Sequence, residues 1–258
     1  MLLRDLDKTL QETFYGPPDS PLRTVPPDVA LNGLQVGRWD KDISRVACSV
    51  DAAAETIKRA VAWKADMLFV HHGLYWGHVY PLVGYAYERF RLLFAGDLAL
   101  YALHLPLDVH GTLGNNAGMV AELGLQDRRP FGEYKGKPIG FAGVLSEPRT
   151  VDWVVEKLFG GRSQVLGVLD FGPDMVSSVG IVSGGAPREV EEAIAAGLDL
   201  FITGDASHEI YHACLEAGVN VVFGGHYATE TWGPRAVADF LSTIDGINAT
   251  FIDVPTGL

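Results

Sequence analysis

The chain has 258 residues, of which 48% are hydrophobic and 20% charged, a normal balance for a globular protein. Its formal net charge is -12 and no lysine or arginine run occurs, which argues against sequence-independent binding to nucleic-acid phosphates. Cys48 and Cys214 lie in apolar surroundings without metal-type spacing, so we expect buried free thiols. Acids occupy the N-terminus where a signal peptide would be apolar, and no apolar run reaches about 18 residues, so we expect a cytoplasmic protein.

Hydrophobic periodicity predicts alternating helices and strands along the chain. The N-terminal part is predicted to contain a helix at 2–14, a Pro- and Gly-rich loop at 16–27 and a turn into a strand at 32–37. A first series follows, with strands at 46–50, 67–70 and 98–103 and helices at 52–64, 84–95 and 116–123. After a polar, turn-rich segment at 127–138, a second series has strands at 139–144, 164–168, 178–182, 199–203, 219–223 and 248–253 and helices at 150–159, 187–196, 207–216 and 234–243.

This alternation predicts an α/β protein of two related lobes, each with three α/β/α layers around a mixed sheet. We place the first lobe at residues 1–126 and the second at 127–258, because the turn-rich segment is the best boundary in the chain. The C-terminal segment is expected to pack back on the first lobe.

The two series resemble each other in sequence. Residues 46–50 and 66–70 match residues 179–183 and 199–203 at an offset of 133, and residues 95–104 match 217–226 at an offset of 122. The difference of 11 residues places an insertion after His72 in the first copy. The match aligns His72 with Asp205.

An adjacent histidine pair, His71-His72, follows the apolar strand 67–70 and precedes Gly73. Successive side chains in mid-strand point to opposite faces, so two adjacent rings can serve one site only where the strand ends. We therefore expect the strand to stop at the pair. Taken alone, the pair also fits a solvated loop.

Histidines and carboxylates also follow later strands in both copies. Two His-x3-carboxylate units occur at matching positions, His104 with Asp108 and His226 with Glu230. Imidazoles and carboxylates without a thiolate suit divalent Zn, Fe, Mn, Co or Ni. Each unit taken alone also fits an ion pair on a helix face. Recurrence at strand ends favours two half-sites that face each other across an interdomain cleft and form one metal centre.

Other residues are candidates for substrate binding. The Ser-Gly-Gly-Ala-Pro turn at 183–187 could present backbone N–H groups to an anion, or be a plain tight turn. Aromatic residues at 75, 76 and 80 could form a wall for a base, or serve core or oligomer packing. The candidates for substrate contact are Gly184, Gly185, Trp76 and His208.

Three motifs together resemble a known family: His71-His72-Gly73-x-x-Trp76, His104-Leu105-Pro106-Leu107-Asp108 with Gly114-Asn115-Asn116, and Gly225-His226-x-Ala228-Thr229-Glu230. They are similar to the signatures of the YbgI/Nif-three-like dinuclear metal proteins, often described as GTP cyclohydrolase type-two homologues. The resemblance extends over essentially the whole chain.

The resemblance implies two divalent transition-metal ions and five ligands. His72 and Asp108 would bind one metal, His71 and His226 the other, and Glu230 would bridge both. His104 would lie beside the ligands, as a structural neighbour or as the catalytic acid/base. Members of the family form toroidal homohexamers, which implies the same assembly here.

The leading functional hypothesis is a dinuclear metal-dependent hydrolase acting on a small, nucleotide-like substrate. For a cyclohydrolase, water activated by the metals would add to C8 of a purine and open its imidazole ring, with His104 moving the proton. The alternative is a metal-binding regulatory or scaffold hexamer without physiological catalysis. A nucleic-acid clamp is opposed by the net charge of -12.

Overall fold

A computed structural model of the protein describes residues 1–16 and 26–258. Most of the loop predicted at 16–27 therefore lies outside the described residues. The chain divides into two compact units, one of Met1–Leu107 with Gly233–Val254 and one of Asp108–Trp232 with Pro255–Leu258. The first division thus falls at 107/108, where sequence analysis placed it at 126/127. No helix in the described ranges is long and apolar enough to cross a membrane.

The strands and helices alternate along most of the chain. The strands are β1 (Gly33–Val36), β2 (Arg45–Asp51), β3 (Met67–His72), β4 (Ala99–Ala102), β5 (Gln126–Tyr134), β6 (Lys137–Thr150), β7 (Gly167–Leu169), β8 (Met175–Val182), β9 (Leu200–Thr203), β10 (Asn220–Phe223) and β11 (Asn248–Phe251). The α-helices are α1 (Leu3–Tyr15), α2 (Ala54–Ala62), α3 (Gly84–Ala95), α4 (Leu105–Val109), α5 (Asn115–Leu123), α6 (Val151–Phe159), α7 (Val190–Ala195), α8 (Tyr211–Ala217), α9 (His226–Thr229) and α10 (Trp232–Ser242).

The first unit contains a five-stranded mixed sheet of order β1-β4-β3-β2-β11. Strands β2, β3 and β4 run parallel, β11 pairs parallel with β2, and β1 pairs antiparallel with β4. The C-terminal strand β11 thus lies in the sheet of the first unit.

Both faces of this sheet are buried by helices. Side chains alternate along a strand, so β3 directs Leu68 to one face and Phe69 to the other. Leu68 joins a core cluster with Ile57 of α2 and Phe90 of α3. On the opposite face, the ring of Phe14, from the apolar side of α1, stacks 6.5 Å from that of Phe69. The sheet is therefore the middle layer of three.

The second unit contains a six-stranded mixed sheet of order β5-β6-β8-β9-β10-β7. Its strands β8, β9 and β10 are parallel, like β2, β3 and β4 in the first unit. Leu200 of β9 packs in a cluster with Val120 of α5 and Val154 of α6. The next residue, Phe201, packs on the other face with the cluster that includes Val190. The predicted α/β class with two mixed sheets is confirmed.

The segment predicted as turn-rich, 127–138, is instead most of strand β5 and the start of β6. Only Lys135 and Gly136, both with positive φ, form the turn between them. Most β5 side chains are exposed because β5 is the edge strand of its sheet. An exposed edge strand carries no apolar periodicity, which explains why the pattern indicated turns.

Both cysteines are buried and unlinked, as predicted. Burial raises the pKa of the Cys214 thiol and that of Cys48 above their ordinary values. Both thiols are therefore protonated near neutral pH and inert toward metals and oxidants.

Candidate metal centre

The candidate ligands lie where parallel strands end. In the first unit, β3 ends at His72 and His104 follows β4 by two residues. In the second unit, Asp205 follows β9 and His226 follows β10. Carboxyl ends of neighbouring parallel strands meet at one edge of a sheet, which is where α/β proteins bind ligands. The topology therefore collects polar side chains from separate parts of the sequence within each unit.

Three histidines form a cluster in the first unit. The ring centroids of His71 lie 4.5 Å from those of His72 and 5.1 Å from those of His104. One nitrogen from each of the three lies within 4.8 Å of the others, close enough to hold a metal ion. The strand does not stop before the pair as predicted, since Asp51 of β2 still pairs with His72. Both rings nevertheless belong to one cluster.

Hydrogen bonds orient the two adjacent rings through the same nitrogen. Nδ1 of fully buried His71 donates to the carbonyl oxygen of Leu103 at 3.0 Å. Nδ1 of His72 donates to Oδ1 of Asp51 at 2.9 Å. A metal-binding histidine commonly donates its other ring N–H to such an oxygen, which fixes the tautomer. Nε2 would then be the ligand atom in both rings.

His104 is oriented in the same way by Asp28, with Nδ1 and Oδ1 2.9 Å apart. Asn32 supports both residues, since its side-chain amide donates to Asp28 Oδ2 and its oxygen accepts from the His104 backbone N–H. Burial disfavours the charged form of Asp28, but the hydrogen bonds from His104 and Asn32 outweigh it and lower the pKa of Asp28 to about 2. Asp28 is thus a carboxylate that holds the imidazole in place.

The second unit contributes two buried carboxylates and a histidine. Asp108 is 6% exposed and Glu230 3% exposed, and a carboxylate oxygen of each lies within 4.8 Å of the other. Nε2 of His226 lies 3.2 Å from Oε1 of Glu230, the neighbour one turn away. The hydrogen bond with Glu230 and the nearby charge of Asp205 raise the pKa of His226 to about 9. A metal ion binding here would replace the proton on His226.

These side chains are also held by neighbours. Nδ1 of His226 donates to Oδ1 of Asp205 at 3.0 Å. Oδ1 of Asp108 accepts hydrogen bonds from Asn115 Nδ2 at 2.9 Å and from Ser183 Oγ at 3.0 Å. Because all of these groups are fixed before any ligand binds, the donor atoms of the second unit are pre-organised.

A glycine turn makes room for Glu230. Gly184 has φ +66°, and a Cβ atom on it would lie 2.2 Å from Oε1 of Glu230. Its N–H donates to Oγ1 of Thr229 at 3.0 Å, so this amide is already bound within the protein. A Cβ atom on Gly185 would lie 2.9 Å from Oδ2 of Asp205. Both glycines therefore allow carboxylates to approach the backbone closely, whereas anion binding by the turn stays a prediction.

Sequence analysis identified the donors but not the residues that hold them. The ring centroid of Trp76 lies 5.7 Å from that of His72 and 5.0 Å from that of His104, so Trp76 adjoins the histidine cluster. His208 is exposed in a 3-10 turn at His208–Ile210, and its role stays a prediction. The missed residues are Asp28, Asp51, Asp205 and Ser183. Asp51 could have been found as a carboxylate ending the strand beside the histidine pair.

The donor chemistry fits divalent transition metals. Two carboxylates buried close together repel each other and are costly to desolvate unless a cation compensates their charge. Asp108 and Glu230 form such a pair. Imidazole and carboxylate donors suit Zn, Fe, Mn, Co and Ni. The assignment of particular ligands to each of two ions stays a prediction.

The chain is similar to proteins of one family over nearly its whole length. Residues 21–256 match the Duf34/NIF3 (NGG1p interacting factor 3) family. A GTP cyclohydrolase 1 type 2 homolog of Treponema pallidum is 40% identical over 292 residues and covered in full, as is this chain. One of Halobacterium salinarum is 44% identical over 234 residues, which cover 90% of this chain and 92% of the relative. The crystal structure of TTHA1606 from Thermus thermophilus is 35% identical with TM-score 0.83, and that of protein ybgI 32% identical with TM-score 0.87, each match covering 100% of both chains.

Proposed function

We propose, since the chain belongs to the Duf34/NIF3 family, that it is a metal-dependent hydrolase in which both donor sets contribute to one dinuclear centre. The observation that carries this proposal is the pair of buried carboxylates, Asp108 and Glu230, with a carboxylate oxygen of each within 4.8 Å of the other. A purely structural role would not require two desolvated acids so close together.

The metals would supply Lewis-acid chemistry, since bound divalent ions polarise substrate oxygens and lower the pKa of water. The ligands would be His71, His72, Asp108, His226 and Glu230, with Glu230 bridging. His104 would carry the proton, because Asp28 orients its ring through Nδ1 and leaves Nε2 as the nitrogen that exchanges protons with substrate.

The substrate would be a small, nucleotide-like molecule. Relatives that are 40% and 44% identical bear the name GTP cyclohydrolase 1 type 2 homolog, which supports hydrolytic opening of a purine ring. We also propose a homohexamer, which the mass of the native assembly in solution would test.

Metal content of the purified protein tests the centre. Protein prepared without added metal is expected to contain about two transition-metal ions per chain. Glu230→Gln should lose metal more severely than His104→Ala, because a bridging ligand serves both ions. His212→Ala, at an exposed histidine, is the matched control and should retain both. A metal-free wild type, or equal retention in the Glu230 and His104 variants, would contradict the assignment.

Activity is tested by screening nucleotides with the metal-loaded protein for products one water heavier than the substrate. Asp108→Ala is the inactive control, because it removes a ligand. Metal binding without turnover of any nucleotide would instead favour the scaffold role.

A further inference from the structure

A cavity of about 480 Å³ lies in the first unit between residues 73–83 and helix α3. These residues are where the first copy of the repeat has its insertion. The volume lies within the range of about 300–1,000 Å³ that is usual for small-molecule sites. We propose that this cavity binds a planar aromatic ring that carries an anionic group. The proposal rests on the proposed hydrolase function in that it specifies the substrate class.

The cavity wall is rich in aromatic rings whose polar atoms already have partners. Nε1 of Trp76 donates to the carbonyl of Gly73 at 3.1 Å, and the hydroxyl of Tyr80 donates to the carbonyl of Leu74 at 2.5 Å. Nδ1 of His78 donates to the carbonyl of Trp76 at 3.0 Å. These bonds tie the side chains to the backbone of their own segment. Recognition by the rings is therefore left to their faces, which favour stacking with a flat ligand.

Arg89 gives the cavity a positive charge. Its guanidinium lies 5.4 Å from the ring of Tyr85, and no carboxylate among the described residues pairs with it. Two residues further along α3, Arg91 instead bonds both oxygens of Glu88, at 2.8 and 2.7 Å. No described residue that lines the cavity is acidic. An uncompensated guanidinium at the wall of an aromatic cavity attracts a carboxylate or phosphate.

The cavity adjoins the histidine cluster of the same unit. Trp76 lines the cavity, and its ring centroid lies only 5.0 Å from that of His104, in an edge-on arrangement. A ring stacked against Trp76 would therefore lie beside the histidine to which the proposed function assigns proton transfer. This places recognition of the ring next to the proposed chemistry.

Binding is measured by calorimetry on the full chain after metal removal with a chelator, so that no ion can hold the probe. The probes are guanosine 5′-monophosphate, quinoline-2-carboxylate, guanosine and ribose 5-phosphate. At least one of the two ring-bearing anions should bind about tenfold more tightly than guanosine and than ribose 5-phosphate. Which of the two binds distinguishes a phosphate from a carboxylate ligand.

Matched variants locate the binding. Arg89→Gln should weaken it about tenfold, as expected for one charge-assisted hydrogen bond, and Arg89→Lys should restore part of the affinity. Arg91→Gln, on the same helix but paired with Glu88, should leave it unchanged. Stacking should quench tryptophan fluorescence in the wild type and in Trp63→Phe but not in Trp76→Phe.

Three results would overturn the proposal: no binding of either ring-bearing anion, equal affinities in Arg89→Gln and Arg91→Gln, or ribose 5-phosphate binding as tightly as the ring-bearing anions. Because these measurements use metal-free protein, they are independent of metal content. A protein that binds the anions but never holds metal would refute the proposed function alone.

Discussion

Replacing Gly184 by alanine should separate backbone strain from damage to the metal centre. Gly184 has φ +66°, and an added Cβ would lie 2.2 Å from Oε1 of Glu230. Gly197 has nearly the same backbone conformation, φ +64°, with nothing within 4 Å of an added Cβ. Gly197→Ala is therefore a control that introduces the same strain without the clash.

The two variants should lose similar stability. A non-glycine residue in the left-handed region costs about 1–2 kcal/mol, and both substitutions incur that cost. The clash adds little energy if the end of the Glu230 side chain moves away, but the movement must be roughly 1 Å to restore a normal contact. Metal–ligand distances tolerate only about 0.2 Å, so such a shift should remove Glu230 as a ligand.

The assay pairs urea unfolding with metal analysis of the purified proteins. Both variants should lose about 1–2 kcal/mol in the free energy of unfolding of the metal-free protein. Only Gly184→Ala should also lose most of its bound metal. Equal metal content in the two variants would refute the idea that Gly184 is needed to admit the Glu230 carboxylate.

Three further substitutions test other contacts. Ser183→Ala removes a hydrogen bond to Asp108 and should lower the free energy of unfolding by about 1.5–3 kcal/mol and weaken metal retention, unlike Ser163→Ala at an exposed site; equal metal retention would contradict a positioning role. Thr150→Ala removes the N-cap of α6 and should cost about 1 kcal/mol in urea unfolding without changing metal content, with Thr150→Ser restoring it. The Arg38 and Lys41 side chains lower the pKa of Asp97 to about 2, from an ordinary 3.8. Since the folded pKa is depressed, this stabilisation is present above about pH 4 and lost as pH falls toward about 2. Asp97→Asn should therefore unfold with a weaker pH dependence in that window, and an unchanged dependence would contradict it.

Elements with strong apolar patterns could be predicted from the sequence, and elements without them could not. The helix predicted at 84–95 coincides with α3, because its apolar residues face a core over three turns. The short helices α4 and α9 have five and four residues, too few to show a period. Strand β5 is mostly exposed and carries no apolar alternation. What decides these elements is their position in the sheet and the turns, which is a tertiary property.

The donors of the candidate centre could be found because they follow buried strands in a repeated pattern. The residues that orient them could not, since their contacts connect distant parts of the chain. Asp28 lies 76 residues before His104 in an irregular segment, and Asp51 lies 21 residues before His72. No spacing rule links such pairs. The register of β2 against β3, which places Asp51 beside His72, is known only once the sheet is built.

The repeat locates equivalent positions but does not make their roles equal. The offset of 133 aligns His72 with Asp205, yet His72 is a candidate ligand whereas Asp205 orients one, His226. The same offset aligns Asp51 with Gly184. In the first unit the side chain at this strand end is a carboxylate that holds a histidine, and in the second its absence leaves room for Glu230. Since Glu230 in turn aligns with Asp108, the buried acid at this place in the second unit comes from a different element. Both copies thus keep polar groups at the strand ends, and the exchange of glycine for aspartate at one position determines which side chain reaches the site.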